Sequence, residues 1–271
     1  MQTMSSIKDR VLLITGGASG IGKIMARLAL EKGAAKVVIW DIHADAMETV
    51  RQEFATLGEI LCIRVDLSSA EQIREAGKQT LEKAGAVDIL INNAGIVFGK
   101  LFQDHTTEEI RRTMEVNALA PMLVTLEFLP EMMKRNSGHI CNITSSAGLI
   151  SNPRMSVYVA SKWAATGWSD SLRIELQQMK RQIGVTTVTP YYISTGMFEG
   201  VRSVIPILKP ESVARKIIRG IEHNRIFVSM PWSVHFVRFG QGILPVRLFD
   251  RLIGGVLGVY RTMDHFKGRQ N

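Results

Sequence analysis

Residues 15–22 have the sequence Thr-Gly-Gly-Ala-Ser-Gly-Ile-Gly and connect an apolar run at 11–15 to an amphipathic stretch at 21–32. The run has the length of a buried strand, and the stretch has the spacing of a helix. The glycines of this loop permit a tight turn, let backbone amides approach a diphosphate and allow close helix–strand packing. An ordinary strand-to-helix turn is the alternative. We predict a dinucleotide site at this helix N-terminus, with phosphate-binding residues Gly16, Ser19, Gly20, Ile21 and Gly22.

Apolar runs of strand length alternate with helix-length amphipathic stretches over most of the chain. The predicted strands are residues 11–15, 36–41, 60–65, 87–91, 139–143 and 185–189, with a last one at 226–229. The predicted helices are residues 21–32, 45–57, 69–84, 107–118, 121–135, 156–180 and 210–223. Such alternation indicates a parallel sheet covered by helices. The sequence therefore predicts an α/β fold, a single-domain Rossmann-type doubly wound parallel sheet of about seven strands flanked by helices.

Residues 1–230 are the expected nucleotide-binding catalytic part, and residues 231–271 a C-terminal amphipathic extension of the same domain. In that extension, apolar residues from Leu248 to Tyr260 recur at helical spacing and predict one amphipathic helix. Gly254 and Gly258 within it indicate close packing. The aromatic residues Trp232, Phe236 and Phe239 are expected to be packing residues.

Acidic residues follow the second and third predicted strands. Asp41 stands nineteen residues after Gly22, where a carboxylate can accept hydrogen bonds from both ribose hydroxyls and repel a 2′-phosphate. No Arg or Lys follows at once, so the pattern favours NAD over NADP. A turn-capping role for Asp41 is the alternative. Asp66, with Leu67, is placed to bind the adenine, and a helix-capping role is the other interpretation.

Tyr158 precedes Lys162 by four residues, and Ser145 lies thirteen residues upstream of Tyr158. On a helix, positions i and i+4 share a face, so the phenol and the ammonium can lie side by side. A free phenol has a pKa of about 10, and a nearby cation favours its ionised form. Ser145 could bind the same substrate oxygen with which Tyr158 exchanges a proton. A chance surface pair is the alternative for Tyr158 and Lys162.

Composition excludes several classes of protein. The chain has 271 residues, 46% hydrophobic and 21% charged, which is typical of a globular protein. Cys62 and Cys141 lie in apolar runs and are expected to be buried, reduced thiols, and no metal-binding spacing is present. The N-terminal residues lack an apolar segment long enough for a signal peptide or membrane anchor. We therefore expect a cytoplasmic location.

The charge is unevenly distributed. Residues 201–271 contain 12 Lys and Arg against 4 Asp and Glu, whereas residues 1–200 contain 21 of each, so the whole formal charge of +8 lies in the last quarter. The sequence has no basic run with interleaved aromatic residues of the kind that binds nucleic acid, so we expect no nucleic-acid partner. A peripheral membrane contact through the apolar, basic C-terminal segment is the partner that we expect. A solvated basic face, a roof over an apolar pocket and a subunit interface are the alternatives.

Taken together, these motifs resemble the short-chain dehydrogenase/reductase family over about residues 8–230. Residues 15–22 match its cofactor loop, and Asn92-Asn93-Ala94-Gly95 matches the motif that steadies the sheet beside the adenosine. Residues 190–196 match its segment on the nicotinamide side, except that Tyr191 replaces a glycine. The residues that the resemblance places in the catalytic set are Asn117, Ser145, Tyr158 and Lys162, and those that it adds to the cofactor set are Asn93, Ala94, Gly95, Ile193 and Thr195.

The resemblance implies a hydride transfer between NAD and an alcohol or ketone. In it, Tyr158 is the acid/base, Ser145 holds the substrate oxygen, and Lys162 lowers the pKa of Tyr158 and binds the nicotinamide ribose. Asn117, in a kinked helix, holds a water that connects Lys162 to solvent. The resemblance also implies a homodimer or homotetramer, formed through the helices at 107–135 and 156–180.

The segment after Thr195 and the C-terminal extension resemble the branch of retinol dehydrogenases and 17β-hydroxysteroid dehydrogenase-like enzymes. Apolar residues fall around the predicted site: Val97, Phe98, Ile150, Met155, Met197 and Phe198. They favour a lipophilic alcohol of the steroid, retinoid or long-chain type, with no Arg or Lys placed to meet a substrate carboxylate or phosphate. An NADPH-dependent ketone reductase and a non-catalytic dinucleotide sensor are the alternatives.

Overall fold

A computed structural model of the chain describes residues 5–268, and its centre is a sheet of seven parallel strands. The strands are β1 (Val11–Thr15), β2 (Lys36–Asp41), β3 (Ile60–Arg64), β4 (Ile89–Asn92), β5 (Gly138–Ile143), β6 (Ile183–Pro190) and β7 (Phe227–Met230). Their order in the sheet is β3-β2-β1-β4-β5-β6-β7. The winding reverses between β1 and β4, and ligands of such sheets bind at the carboxyl ends of the strands beside this reversal.

Helices cover both faces of the sheet. They are α1 (Gly20–Glu31), α2 (Ala44–Glu53), α3 (Ala70–Ala84), α4 (Thr107–Met114), α5 (Ala120–Arg135), α6 (Ser156–Gln178) and α7 (Pro210–Glu222). One buried cluster joins α1, α2 and α7 to the sheet, and a second joins α3, α5 and α6 to its other face. Leu13 belongs to the second cluster, whereas its neighbours Leu12 and Ile14 belong to the first. This alternation explains why the strands are apolar on both sides.

The predicted doubly wound parallel sheet is confirmed, with small differences in element bounds. The sequence predicted two helices at 107–118 and 121–135, but the chain continues from α4 to α5 through a π-helical turn, Glu115–Leu119. Pro121 is the second residue of α5, directly after this turn. Cys141 is buried in β5 as expected, whereas Cys62 in β3 is only half-buried, and both thiols are free.

The C-terminal extension is helical but broken. It contains α8 (His235–Ile243), α9 (Val246–Asp250), a π-helical segment (Arg251–Val256) and a 3-10 turn (Val259–Arg261). The prediction of one helix through Tyr260 was wrong, because Gly258 adopts a left-handed conformation with a φ of 64°. Gly254 packs closely as predicted, since an added Cβ would lie 2.2 Å from the Tyr260 ring.

Three aromatic residues at the start of the extension are exposed rather than packed. Trp232, Phe236 and Phe239 have 72%, 56% and 66% of their surface accessible, which contradicts the predicted packing role. Periodicity alone cannot show whether an apolar helix face meets protein or solvent. Among residues 5–268, no helix combines the length and hydropathy needed to cross a bilayer.

His139, the second residue of β5, is buried in a polar cluster at the amino edge of the sheet. Its Nε2 lies 2.9 Å from Thr186 Oγ1, and its Nδ1 lies 3.0 Å from Asn224 Oδ1 and 3.1 Å from Ser5 Oγ. Burial lowers the pKa of His139 to about 4, although the hydrogen bond with Asn224 opposes the shift. The His139 side chain is therefore neutral in the folded protein.

We expect His139 to make the fold sensitive to acid. The pKa of His139 is lower in the folded than in the unfolded protein. Its contribution to the free energy of unfolding is therefore fully present above pH 6.5 and is lost as the pH falls towards 4. The free energy of unfolding falls by up to about 3 kcal/mol at the acid end of this range, because one pKa unit corresponds to about 1.36 kcal/mol. Urea unfolding of wild type and His139→Gln at both ends of this range measures it. Equal acid sensitivity of the two proteins would contradict the assignment to His139.

Candidate active site

A deep cleft lies at the carboxyl edge of the sheet, where β1 to β6 end. It has a volume of about 1320 Å³, including its open mouth, and extends from Asp66 beyond β3 to Phe198 beyond β6. Its position is the one expected from the reversal of winding between β1 and β4. Every predicted catalytic and cofactor residue lines this cleft except Gly22 and Asn117, which lie directly behind its wall.

The loop between β1 and α1 forms the floor of the cleft. Gly16 and Gly20 have φ angles of 63° and 54°, in the left-handed region that favours glycine. An added Cβ on Gly22 would lie 2.1 Å from the Gly16 carbonyl oxygen, so only glycine allows α1 to approach β1 this closely. No side chain caps the N-terminus of α1. Its first N–H groups therefore remain available for an anionic ligand.

The segment after β4 is fixed to this loop by hydrogen bonds. The Thr15 hydroxyl oxygen accepts from the backbone N–H of Asn93 at 2.9 Å and of Ala94 at 3.1 Å. The Asn93 amide donates to the carbonyl oxygens of Thr15 at 2.9 Å and Gly16 at 3.1 Å. The predicted residues Asn93, Ala94 and Gly95 thus form the central wall of the cleft beside the glycine loop.

Asp41 and Asp66 line one end of the cleft, as predicted. Asp41 also has the turn-capping role that was the alternative: its two carboxylate oxygens each accept a backbone N–H at 3.1 Å, from Ala18 and His43. A carboxylate oxygen has two lone pairs, so both can accept a further bond. Asp66 accepts from the backbone and hydroxyl of Ser68. Burial raises its pKa, but these bonds outweigh burial and the net shift is downward.

Asn117 lies at the centre of the π-helical turn and is fully buried. Its Oδ1 accepts from the Ile96 N–H at 2.8 Å, while its Nδ2 donates to the Ile96 carbonyl at 2.8 Å and to Ser161 Oγ at 3.1 Å. Gly95 lies between it and Lys162, because an added Cβ there would be 3.2 Å from Asn117 Oδ1 and 3.4 Å from Lys162 Nζ. The irregular helix therefore holds the loop after β4 beside the lysine.

Tyr158 and Lys162 lie on the first turns of α6 and are both buried. Lys162 Nζ donates to the Ile143 carbonyl at 3.1 Å and lies 5.7 Å from the centroid of the Tyr158 ring. Burial lowers the pKa of Lys162 to about 8. Burial also raises the pKa of Tyr158 to about 12, partly opposed by a hydrogen bond with Ser145. The net shift of the Tyr158 pKa is therefore upward, opposite to the predicted direction, because loss of solvent dominates.

Ser145 follows β5 and caps a 3-10 turn, Ser146–Gly148. Its Oγ accepts from the Ala147 N–H at 3.1 Å and lies 3.5 Å from the Pro190 carbonyl oxygen. These contacts hold the hydroxyl on the same side of the cleft as the Tyr158 phenol. Ser145 therefore lines this cleft, whereas Ser146 lines other cavities and not this cleft.

Apolar and aromatic side chains surround the two hydroxyl groups. Phe198 meets the Tyr158 ring edge-on with centroids 6.0 Å apart and the Tyr192 ring at 5.0 Å. Met155 and Val201 belong to the same buried cluster. Of the apolar residues predicted here, Met197 and Phe198 line the cleft, and Ile150 and Met155 line an adjoining cavity. Val97 packs against the buried cluster, whereas Phe98 lines neither the cleft nor the adjoining cavity.

A C-terminal strap, residues 259–267, covers the loop that carries Phe198. The Lys267 N–H donates to the Glu199 carbonyl at 2.9 Å, and the Arg202 N–H donates to the Thr262 carbonyl at 3.2 Å. Gly200 lies so close that an added Cβ would be 2.1 Å from the His265 carbonyl oxygen. The far end of the chain therefore holds the substrate side of the cleft in place.

One residue of the cleft and one of the adjoining cavity have no sequence signal that predicted them. Arg112 of α4 lines the adenosine end and lowers the pKa of Asp66 electrostatically, although the sequence predicted no basic residue for a ligand anion. It comes from a helix distant in sequence, and only the fold places it there. Asn152 was also missed; its Nδ2 donates to Tyr192 Oη and Thr262 Oγ1, both at 2.9 Å, and joins the strap to the cleft wall.

Comparisons with known proteins agree with this geometry. A family model for short chain dehydrogenases matches residues 10–205. The chain is 36% identical over 273 aligned positions to epidermal retinol dehydrogenase 2 of Mus musculus, covering 98% of this chain and 87% of the relative. It is 34% identical to estradiol 17-beta-dehydrogenase 11 of Homo sapiens, over 92% of this chain and 87% of the relative.

Solved structures show the same fold. A short chain dehydrogenase/reductase from Burkholderia phymatum in complex with NAD superposes with a TM-score of 0.81 at 24% identity, covering 88% of this chain and 95% of the other. A metagenomic short-chain oxidoreductase in complex with NADP gives a TM-score of 0.70 at 29% identity, covering 83% and 96%. The chain therefore belongs to the short-chain dehydrogenase/reductase family, as an NAD(P)-dependent oxidoreductase of the branch that contains retinol and 17β-hydroxysteroid dehydrogenases.

Proposed function

We propose that the protein oxidises a lipophilic alcohol with NAD as the hydride acceptor. The observation that carries the proposal is the apolar surround of the Ser145 and Tyr158 hydroxyls, formed by Phe198 and its neighbours. Apart from Lys162, no charged side chain of the part of the chain that the structure describes lies at this end of the cleft. The names of the relatives refer to retinol and estradiol, which are lipophilic alcohols. A neutral, bulky alcohol suits such a site better than a sugar or a hydroxy acid.

The cleft fits an extended dinucleotide. Its glycine loop has room for a diphosphate, since an added Cβ on Gly20 would meet nothing closer than Thr195 at 3.7 Å. Asp41 is placed for the adenosine ribose, and Asp66 and Leu67 for the adenine. Ile193 and Thr195 line the opposite end, where they are suited to the carboxamide. The negative charge of Asp41 disfavours a 2′-phosphate and supports NAD.

Each catalytic residue has a role that follows from its position. The bound nicotinamide supplies the hydride acceptor. Ser145 donates a hydrogen bond to the substrate oxygen and orients it towards Tyr158. Tyr158, as phenolate, removes the hydroxyl proton, and the Lys162 ammonium stabilises that phenolate and binds the ribose. Asn117 holds the Ile96 backbone and, through a water, connects Lys162 to solvent.

The reverse reaction, ketone reduction, is a second candidate. Burial raises the pKa of Tyr158 to about 12, which favours the protonated phenol at neutral pH. A protonated Tyr158 is the form that donates a proton to a ketone oxygen. Alcohol oxidation is accordingly expected to accelerate as the pH rises and the phenolate becomes more populated.

Replacing Tyr158 with Phe tests the acid/base assignment. We expect turnover to fall by about a thousandfold, because general acid–base catalysis contributes about 10² to 10⁴. Steady-state NADH absorbance, with a panel of steroid, retinoid and long-chain alcohols, measures turnover, and fluorescence titration measures NAD binding. The matched control is Tyr260→Phe, since Tyr260 bonds Asp250 outside the cleft. Comparable turnover by Tyr158→Phe and wild type would exclude Tyr158 as the acid/base.

Replacing Asp41 with Asn tests the choice of cofactor. Asn keeps one acceptor oxygen for the loop but removes the charge, so we expect the kcat/KM ratio of NAD to NADP to fall. The expected change is about tenfold or more, because NAD loses a hydrogen bond to a charged group and NADP is no longer repelled through its 2′-phosphate. Asp45→Asn is the control, because Asp45 is exposed on α2. An unchanged ratio in Asp41→Asn would show that Asp41 does not select the cofactor.

We further propose that the protein forms a homodimer or homotetramer through α4–α5 and α6. Large apolar side chains on these helices are exposed: Leu119, Leu126, Trp163 and Ile174, at 43% to 63% accessibility. Such side chains are usually covered by a partner when they lie on one surface. The expected partner is a second copy of this chain.

A peripheral membrane contact is proposed for the outer surface of α8 and α9. Phe239, Ile243 and Val246 are 63% to 74% accessible, and Arg238, Arg247 and Arg251 beside them are exposed. Apolar side chains with flanking arginines bind an anionic lipid surface by combined burial and electrostatic attraction. Residues 231–268 would then bring the cleft close to a lipophilic substrate.

Phe239→Glu with Val246→Glu tests the membrane contact. We expect wild-type protein to float with vesicles that contain phosphatidylserine and the double variant to remain in the dense fraction, because two charges would enter the headgroup layer. Leu57→Glu, at an exposed apolar position far from α8, is the control. Equal flotation of wild type and the double variant would remove this surface as the membrane contact.

A further inference from the structure

A second large cavity lies between α8, α9 and the π-helical segment, and we name it the α8–α9 cavity. Its volume is about 890 Å³, including its open mouth. The side chains that line it come from the C-terminal extension and from two loops of the catalytic part. They are Ser146, Ile150, Tyr191, Ile205, Ser233, Val234, Phe236, Val237, Gly240, Leu244, Phe249, Leu252, Ile253, Leu257 and Val259.

The lining of the α8–α9 cavity is almost entirely hydrocarbon. Within residues 5–268, it contains no Lys, Arg, His, Asp or Glu, and its polar side chains are two serines and one tyrosine. A polar ligand would lose its hydrogen bonds to water there without replacing them. A hydrocarbon chain loses nothing and gains the free energy of apolar burial. The chemistry of the walls therefore selects an aliphatic or isoprenoid chain.

The α8–α9 cavity adjoins the catalytic cleft through shared lining residues. A small intervening cavity shares Ser145, Tyr191 and Phe198 with the cleft, and shares Ser146, Ile150, Tyr191 and Val259 with the α8–α9 cavity. The three spaces therefore follow one another from the Tyr158 phenol to the outer surface. Tyr191 lines all three of them.

Tyr191 lies along the path from the catalytic cleft to the α8–α9 cavity. Its Oη lies 2.8 Å from Ser203 Oγ, and its ring meets the Tyr192 ring at 4.6 Å, so the phenol is held at two points. Tyr191 stands where the family motif has a glycine, and a glycine would leave no side chain between the two spaces. This departure gives the chain a wall residue that the motif lacks.

We propose that the α8–α9 cavity binds the hydrocarbon chain of a long-chain primary alcohol whose hydroxyl group lies at Ser145 and Tyr158, with the chain passing Tyr191. The proposal rests on the alcohol oxidation proposed above and adds the site for the rest of the substrate. A compact ring system would occupy only the space beside Phe198. A long chain uses both spaces.

A plug in the cavity tests the proposal. Val237→Trp places an indole into the cavity from α8, and Leu257→Trp does so from its half-exposed rim, where a larger ring disturbs the packing less. The measurement is kcat/KM for hexadecanol, solubilised with cyclodextrin, relative to that for butanol. We expect this ratio to fall at least about tenfold in a plugged variant, because each buried methylene strengthens binding by up to about fourfold.

The control is Val256→Trp, which adds the same ring to the π-helical segment at an exposed position outside the cavity. It is expected to leave the ratio of hexadecanol to butanol at the wild-type value. Thermal unfolding of all three variants establishes that each is folded. A ratio that changes equally in Val256→Trp and the plugged variants, or in none of them, overturns the proposal.

A binding measurement separates this proposal from the proposed function. A dansyl-labelled undecanol is titrated by fluorescence into wild type and the plugged variants without any nicotinamide cofactor. Weaker binding to the plugged variants supports the cavity even where no alcohol is oxidised, in which case only the proposed function fails. Oxidation of hexadecanol with binding and kcat/KM insensitive to the plugs overturns the cavity and leaves the proposed function standing.

Discussion

The close approach of α1 to β1 and to the segment after β4 is the constraint on which the site depends. Gly22 lies against the Gly16 carbonyl, where an added Cβ would be 2.1 Å from the oxygen, and Asn93 donates hydrogen bonds to the same turn. Without that approach, the N-terminus of α1 would move away from the floor of the cleft. The phosphate end and the catalytic end would then no longer share one wall, because the Asn93–Gly95 segment connects them.

The buried pair in α6 depends on this wall in turn. Lys162 Nζ is held by the Ile143 carbonyl and lies beside Gly95, so the loop after β4 shields it from solvent. Burial lowers the pKa of the ammonium to about 8 and raises that of the Tyr158 phenol to about 12. Both shifts favour the neutral form of each group. A ligand that brings charge into the cleft therefore changes the ionisation of both residues together.

The sequence predicted the fold and most of the cleft because the relevant signals are local. A glycine loop, a carboxylate at a strand end and an i, i+4 pair on α6 each depend on a few neighbouring residues, and parallel topology brings them to one edge. Arg112 and Asn152 could not be predicted in this way, since tertiary packing alone places them in the site. The direction of the Tyr158 pKa was wrong because spacing shows neighbours but not burial. The helix predicted through Tyr260 ends at the left-handed Gly258. The apolar periodicity continues past this glycine, so it could not show where the helix ends.

The C-terminal strap gives the two ends of the chain separate tasks. The first part builds the sheet, the glycine loop and the catalytic residues, whereas residues 259–267 hold the Phe198 loop through Glu199 and Arg202. Selectivity for substrate can therefore diverge by changes in the last residues alone, with the hydride-transfer machinery left intact. Removal of residues 259–267 would release the Phe198 loop and so act on that selectivity directly.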